Sequence, residues 1–279
     1  MQPNYYSHSG KIGALALPLG LGGGIAAAAL LGTIYGQLMA RIPVVGKITF
    51  IIAALAGAGY GAGAALLFRK GHGRSVAKGT LIAAIATFVG HYLAWASWIS
   101  VVLSRNGDGP SVLDVLFNPS AMFSAISMIN NVGAWSVSGG AATGGVLWAL
   151  WGAEALIVIG CGLIAGAAIA SGGVYCEHCN AWCKEEEGRV LLNPAPKDAV
   201  KQSLEAQNWG VLNQIGPAAG PGPCLRLDLA YCPKCEKTHA VAVSALAPKS
   251  DGNGTDIDTF VPYLNTSPEV SQWLRSIRQ

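Results

Sequence analysis

Charge is scarce in this chain. Lys, Arg, Asp and Glu together make up 12% of its 279 residues, about half the roughly 25% of an ordinary soluble domain. Apolar residues reach 52% and mean hydropathy is +0.42, which excludes a disordered chain and a typical soluble enzyme. Catalytic signatures are also missing: the sequence holds no HExxH, GxSxG, P-loop or dinucleotide-binding fingerprint. The first 171 residues have a single cysteine, Cys161, and three acids, Asp108, Asp114 and Glu154, against eight Lys/Arg. Residues 172–279 hold the other six cysteines and twelve acids against ten Lys/Arg. A basic apolar half (1–171) and a slightly acidic cysteine-bearing half (172–279) therefore meet near Ser171-Gly172-Gly173.

The apolar half reads as an α-helical integral membrane domain, a bundle of four transmembrane helices. A helix needs about 20 apolar residues to cross the hydrocarbon core. Four stretches meet that length, at 12–40, 48–68, 79–103 and 146–170, the last interrupted only by Glu154. Lipid offers the backbone no hydrogen bonds, so helices are expected rather than lone strands. The first stretch has 29 uncharged residues, too long for a signal-peptide core of roughly 7–15, and is read as retained. Residues 104–145 are apolar in patches but broken by Pro110, Asn118, Pro119, Asn130 and Asn131. Its 111–133 segment reads as an amphipathic helix at the interface, or a lid over the bundle, rather than a fifth span.

Lys and Arg in short loops set orientation. The 69–78 loop carries four (Arg69, Lys70, Arg74, Lys78), the 41–47 loop two and the 104–145 connection one. The most basic loop belongs in the cytoplasm, which puts both termini there in a multi-pass cell-membrane protein and keeps the cysteines reduced. Gly20/Gly24, Gly57/Gly61 and Gly59/Gly63 have the i, i+4 spacing that lets helix backbones approach closely, within the bundle or at a seam between copies. His91 and Glu154 are the polar residues inside spans. Such residues mark a relay or a packing hydrogen bond, and the two are candidates to pair with each other. Trp95, Trp98, Trp148 and Trp151 read as interfacial anchors.

The cysteine half is organised by Cys176-Glu177-His178-Cys179 and Cys232-Pro233-Lys234-Cys235. Each CxxC turn can aim two thiolates at one tetrahedral metal, and two turns complete a four-cysteine site. Neither second cysteine is followed by the histidine of a haem-attachment motif, since Asn180 and Glu236 stand there. A redox centre would need one reactive pair rather than two matched ones. Four thiolates also suit iron, but structural Zn2+ is the expected cofactor, with Cys183, Cys224, His178 and His239 as non-ligands and Cys161 as packing. Leu225, Leu227 and Leu229 alternate before the second knuckle, and 240–244 follow it as an apolar run. Strand–knuckle–strand over 174–245 resembles the broad class of zinc ribbons, which implies a β or α+β domain with a structural metal and no particular activity. The 52 residues between the knuckles exceed the usual gap of about 15–20 and imply an insert.

Within that insert, 198–208 reads as a short helix burying Val200 and Leu204. Near the end of the chain, Val270, Trp273, Leu274 and Ile277 share one helical face, with Ser267 as cap and Pro268 in the first turn. Residues 248–258 read as a polar loop. It loosely follows a calcium loop, but Pro262 replaces the glutamate needed at the twelfth position. The expected function is a non-enzymatic membrane scaffold or complex subunit whose cytoplasmic zinc domain binds protein. Its partners would be membrane lipid plus a protein, or a second copy engaged through the glycine-rich helices or the C-terminal domain. A small channel or transporter using Glu154 and His91 is the alternative. The acidic tail is a poor match for nucleic acid.

Overall fold

The computed structural model describes residues 4–41, 47–137, 140–218, 220, 222–249 and 253–277. The chain forms two units: residues 9–172, and residues 173–279 together with the N-terminal eight.

The first unit contains four helices long and apolar enough to cross a membrane. A π-helical turn, Pro18–Gly23, leads into α1 (Gly24–Arg41). Then come α2 (Lys47–Lys70) and α3 (Val76–Leu103), the latter capped by Ser75, whose side chain accepts from the Lys78 N–H. The short helices α4 (Val112–Leu116) and α5 (Pro119–Val132) follow, capped by Ser111 and Asn118. A small hairpin, β1 (Trp135–Val137) and β2 (Gly140–Ala142), then precedes α6 (Gly144–Ser171). The π turn with α1, and helices α2, α3 and α6, are the four long apolar elements. At 14 residues α5 rises only about 21 Å, short of the hydrocarbon core. It buries Met122, Ala125 and Ile129 and exposes Phe123 and Met128, as an amphipathic segment would. Residues 42–46 of the second basic loop lie outside the described residues.

Helix α1 packs chiefly on α3, and α2 on α6. A Cβ at Gly57 would sit 2.1 Å from the Val158 carbonyl oxygen, and one at Gly61 2.0 Å from that of Gly162. The Gly57/Gly61 repeat is thus a seam within the unit. Gly20 and Gly24 approach Phe68 and Ala64 on α2. Gly59/Gly63 does not have this role: Gly59 would meet only Leu31 at 3.9 Å, and Gly63 nothing within 4 Å. Residues two apart point to different sides of a helix, so the interleaved repeats cannot both face one partner. A repeat not anticipated above, Gly32/Gly36, closes α1 on the Gly90 and Ala94 carbonyls of α3. One of the four tryptophans, Trp151, differs from its expected role as well. Trp95, Trp98 and Trp151 pack edge to face at 5.2–6.3 Å, and Trp151 is buried; it is a core residue rather than an anchor.

The second unit is a four-stranded antiparallel sheet, ordered β5-β6-β7-β8, with a two-stranded hairpin and three helices. The hairpin is β3 (Tyr175–Cys176) and β4 (Ala181–Trp182), followed by β5 (Lys184–Leu192). The insert provides α7 (Lys197–Glu205) and α8 (Val211–Ile215). Strands β6 (Cys224–Tyr231), β7 (His239–Pro248) and β8 (Thr255–Asn265) complete the sheet before α9 (Pro268–Ser276). Leu225, Leu227 and Leu229 meet Val200 and Leu204 of α7, Leu212 of α8 and Leu274 of α9 in one apolar core. Ser267 caps α9 as its position predicts.

Three features differ from the sequence reading. Residues 255–258 of the expected polar loop are the start of β8, paired with β7 from Pro248 back to Ala245; Asp251 and Gly252 lie outside the described residues. Strand β5 was masked by its charges, Lys184 to Glu187. Residues 4–8 belong to this unit, not to 1–171. The Tyr6 N–H donates to the Tyr263 carbonyl at 2.7 Å, the Asn265 N–H to the Asn4 carbonyl at 2.9 Å, and the Tyr5 hydroxyl to Glu205 at 2.6 Å. They extend the sheet beyond β8 through the Tyr5–Leu264 bridge.

Candidate metal centre

The two knuckles are tight turns between strands. Cys176 ends β3 and Cys179 lies in the turn to β4, while Cys232 and Cys235 occupy the β6–β7 turn. The residue after each second cysteine is left-handed, Asn180 at φ 49° and Glu236 at φ 50°. Such a backbone is costly outside glycine and persists only where the surroundings enforce it. Both turns are thus closed by a left-handed residue at the same position after the second cysteine. Backbone N–H groups point at sulfur in both, from Cys179 to Cys176 and from Lys237 to Cys235.

The four Sγ atoms lie within 4.8 Å of one another. Cys176 and Cys235 are 3.5 Å apart, and Cys232 and Cys235 3.7 Å, far beyond a disulfide bond of about 2.05 Å. All four are free thiols, placed to hold a metal ion. Val174, Ala230, Ala240 and Cys183 bury the cluster, with Tyr6 and Tyr263 packed against it. Burial alone would push the Cys176 thiol up, but hydrogen bonds from Thr238 and the Cys179 N–H bring it down to about 7. Cys179 is held up, at about 12, first by its hydrogen bond with Cys235 and then by burial. Crowded thiols that cannot all ionise alone are what a cation would relieve.

The expected non-ligands are placed as follows. His178 is exposed. Cys224 opens β6, opposite the strand end that leads to Cys232. Cys183 lies beside the cluster, with burial pushing its thiol up to about 12. His239 is buried and turned to the Glu236 carbonyl. Among the described residues, no other group of three or more His, Cys, Asp or Glu side chains is placed to hold an ion.

His91 and Glu154 are both buried in the helical unit, but the expected pairing does not occur. Glu154 Oε1 accepts from the Tyr35 hydroxyl at 2.6 Å, linking α6 to α1. His91 Nε2 accepts from the Trp95 indole N–H at 3.2 Å, one turn along its own helix. Tyr35 and Tyr60 were not singled out in sequence, because a tyrosine in an apolar helix gives no local sign of its partner.

No family model, curated protein or solved structure matches this chain.

Proposed function

We propose that this is a non-enzymatic, multi-pass membrane protein whose C-terminal domain is a zinc-ribbon-like module, held folded by one structural Zn2+ and used to bind protein as a scaffold or complex subunit. The carrying observation is the closed set of Cys176, Cys179, Cys232 and Cys235. A tetrahedron of Zn–S bonds near 2.3 Å has sulfur–sulfur edges of about 3.8 Å, and separations of 3.5 and 3.7 Å are close to that edge. Four protein thiolates leave no open metal position for a substrate, which favours a structural metal. The four long apolar helices support a membrane location.

Photo-crosslinkers placed on exposed tail positions such as His178 and Glu187 test the binding role in native membranes. Discrete adducts that disappear with the double variant Cys232→Ser/Cys235→Ser are expected. Absence of adducts, together with ion flux by purified protein in liposomes, overturns the reading in favour of transport.

The orientation proposed is cytoplasmic for both termini. Residues 4–8 and 173–277 share one folded unit, so the chain enters and leaves the helical unit from the same domain, which supports an even number of crossings. The Lys/Arg of 69–78 support the cytoplasmic side. A cysteine introduced at His72 is expected to react with an impermeant maleimide only after the membrane is opened. Labelling in intact cells reverses the orientation.

A further inference from the structure

We infer that the helical unit contains a proton-binding site centred on the Glu154 carboxyl and completed by the hydroxyls of Tyr35 and Tyr60. Glu154 lies near the middle of α6 and is 9% exposed. An ionised carboxylate at such a place needs a cationic partner or neutralisation. Among the described residues no Lys or Arg pairs with it; its hydrogen-bond partner is the Tyr35 hydroxyl on Oε1. The titratable side chain bonded to Glu154 is Tyr35 from α1; Tyr60 from α2 lies in the same packed cluster as Tyr35, His91 of α3 is bonded to Trp95 instead, and α5 carries none.

Tyr60 is the independent observation. Its side chain is 1% exposed, its hydroxyl has no hydrogen-bond partner, and it packs in one cluster with Tyr35 and with Val158, one turn along α6 from Glu154. His91 is a second buried group of this kind. Its Nε2 accepts from Trp95, which leaves the proton of a neutral ring on Nδ1, and that atom is unpartnered. The ring of Tyr60 packs against Gly90, beside His91. A buried polar atom without a partner costs about 1–3 kcal/mol, so the Tyr60 hydroxyl, in one packed cluster with Tyr35 and with Ile157 and Val158 of α6, marks a place built for a polar occupant.

The donor set selects the proton. A hard metal cation takes about six or more oxygens. This site offers one carboxyl and two phenols, and the surrounding backbone carbonyls are engaged in continuous helices. A proton needs one carboxyl oxygen, and the neutral acid still accepts from Tyr35 on the other. Binding is simple association: the proton adds to a carboxylate oxygen and leaves the same way.

Infrared titration of the full-length protein in lipid nanodiscs tests this. The expected result is the carbonyl stretch of one protonated carboxylic acid at neutral pH, absent from Glu154→Gln. Its absence from the native protein overturns the inference, as does thermal stabilisation by sodium ions. Should Glu154→Gln fail to fold, Tyr60→Phe decides. It should move the titration of that band by about tenfold in proton concentration, equivalent to about 1.4 kcal/mol. An unmoved titration with a raised thermal midpoint would show the Tyr60 hydroxyl to be an idle unpaired group and overturn the inference. Neither outcome bears on the zinc module, which is read separately by metal content.

Discussion

Replacing Cys232 and Cys235 together by serine is expected to strip the metal and unfold the C-terminal unit while the four long helices stay folded. The reason is energetic. Binding of a structural Zn2+ by four ligands is worth an apparent ~10–16 kcal/mol, which becomes folding energy where no site exists in the unfolded chain. The entire stability of a domain is about 5–15 kcal/mol. A metal held there would join knuckles 52 residues apart in sequence, and its geometry would constrain both flanking hairpins. Metal analysis of the native protein should give about one zinc per chain, and hydrogen exchange in the double variant should rise across residues 173–277 with the helices still protected. Cys183→Ser and Cys224→Ser should keep the metal, since neither sulfur belongs to the set of four. An ordered C-terminal unit without metal, or zinc retained by the double variant, would sink the assignment.

The second large effect concerns two glycines separated by one residue. Gly61→Ala places a methyl 2.0 Å from the Gly162 carbonyl oxygen, so α2 and α6 must separate. Overpacking of a fitted interior costs about 1–3 kcal/mol, occasionally more. A clash with backbone, which has no rotamer to change, belongs at the upper end. Gly63→Ala meets nothing within 4 Å and should gain up to about 1 kcal/mol from helix propensity. Opposite shifts in the unfolding midpoint are therefore expected in detergent or nanodiscs. Equal behaviour of the two variants would show that the seam between α2 and α6 is not formed as described.

Much of this was legible from local pattern. Composition and the lengths of the apolar runs suffice for the four helices, because a residue's cost in lipid depends on its own side chain. The cluster of four thiols was legible because a CxxC turn is a local object: each knuckle carries its own pair of cysteines and its own left-handed residue, Asn180 or Glu236. The cap and apolar face of α9 are local in the same way. What one sequence does not contain is which surfaces meet. Of the glycine repeats read from spacing, Gly57/Gly61 meets a carbonyl row on α6 and Gly59/Gly63 faces open space. The difference lies in the rotation of α2, which its neighbours set. Glu154 and His91 suggested one another by depth alone, yet depth says nothing of azimuth, and packing gave Glu154 to Tyr35 and His91 to Trp95. Strand β5 is a strand because β6 supplies its hydrogen bonds, whatever its charges suggest. The attachment of residues 4–8 to β8 was likewise a tertiary decision, since the backbone hydrogen bonds that create it join Tyr6 to Tyr263 and Asn4 to Asn265 and leave no mark in either segment alone.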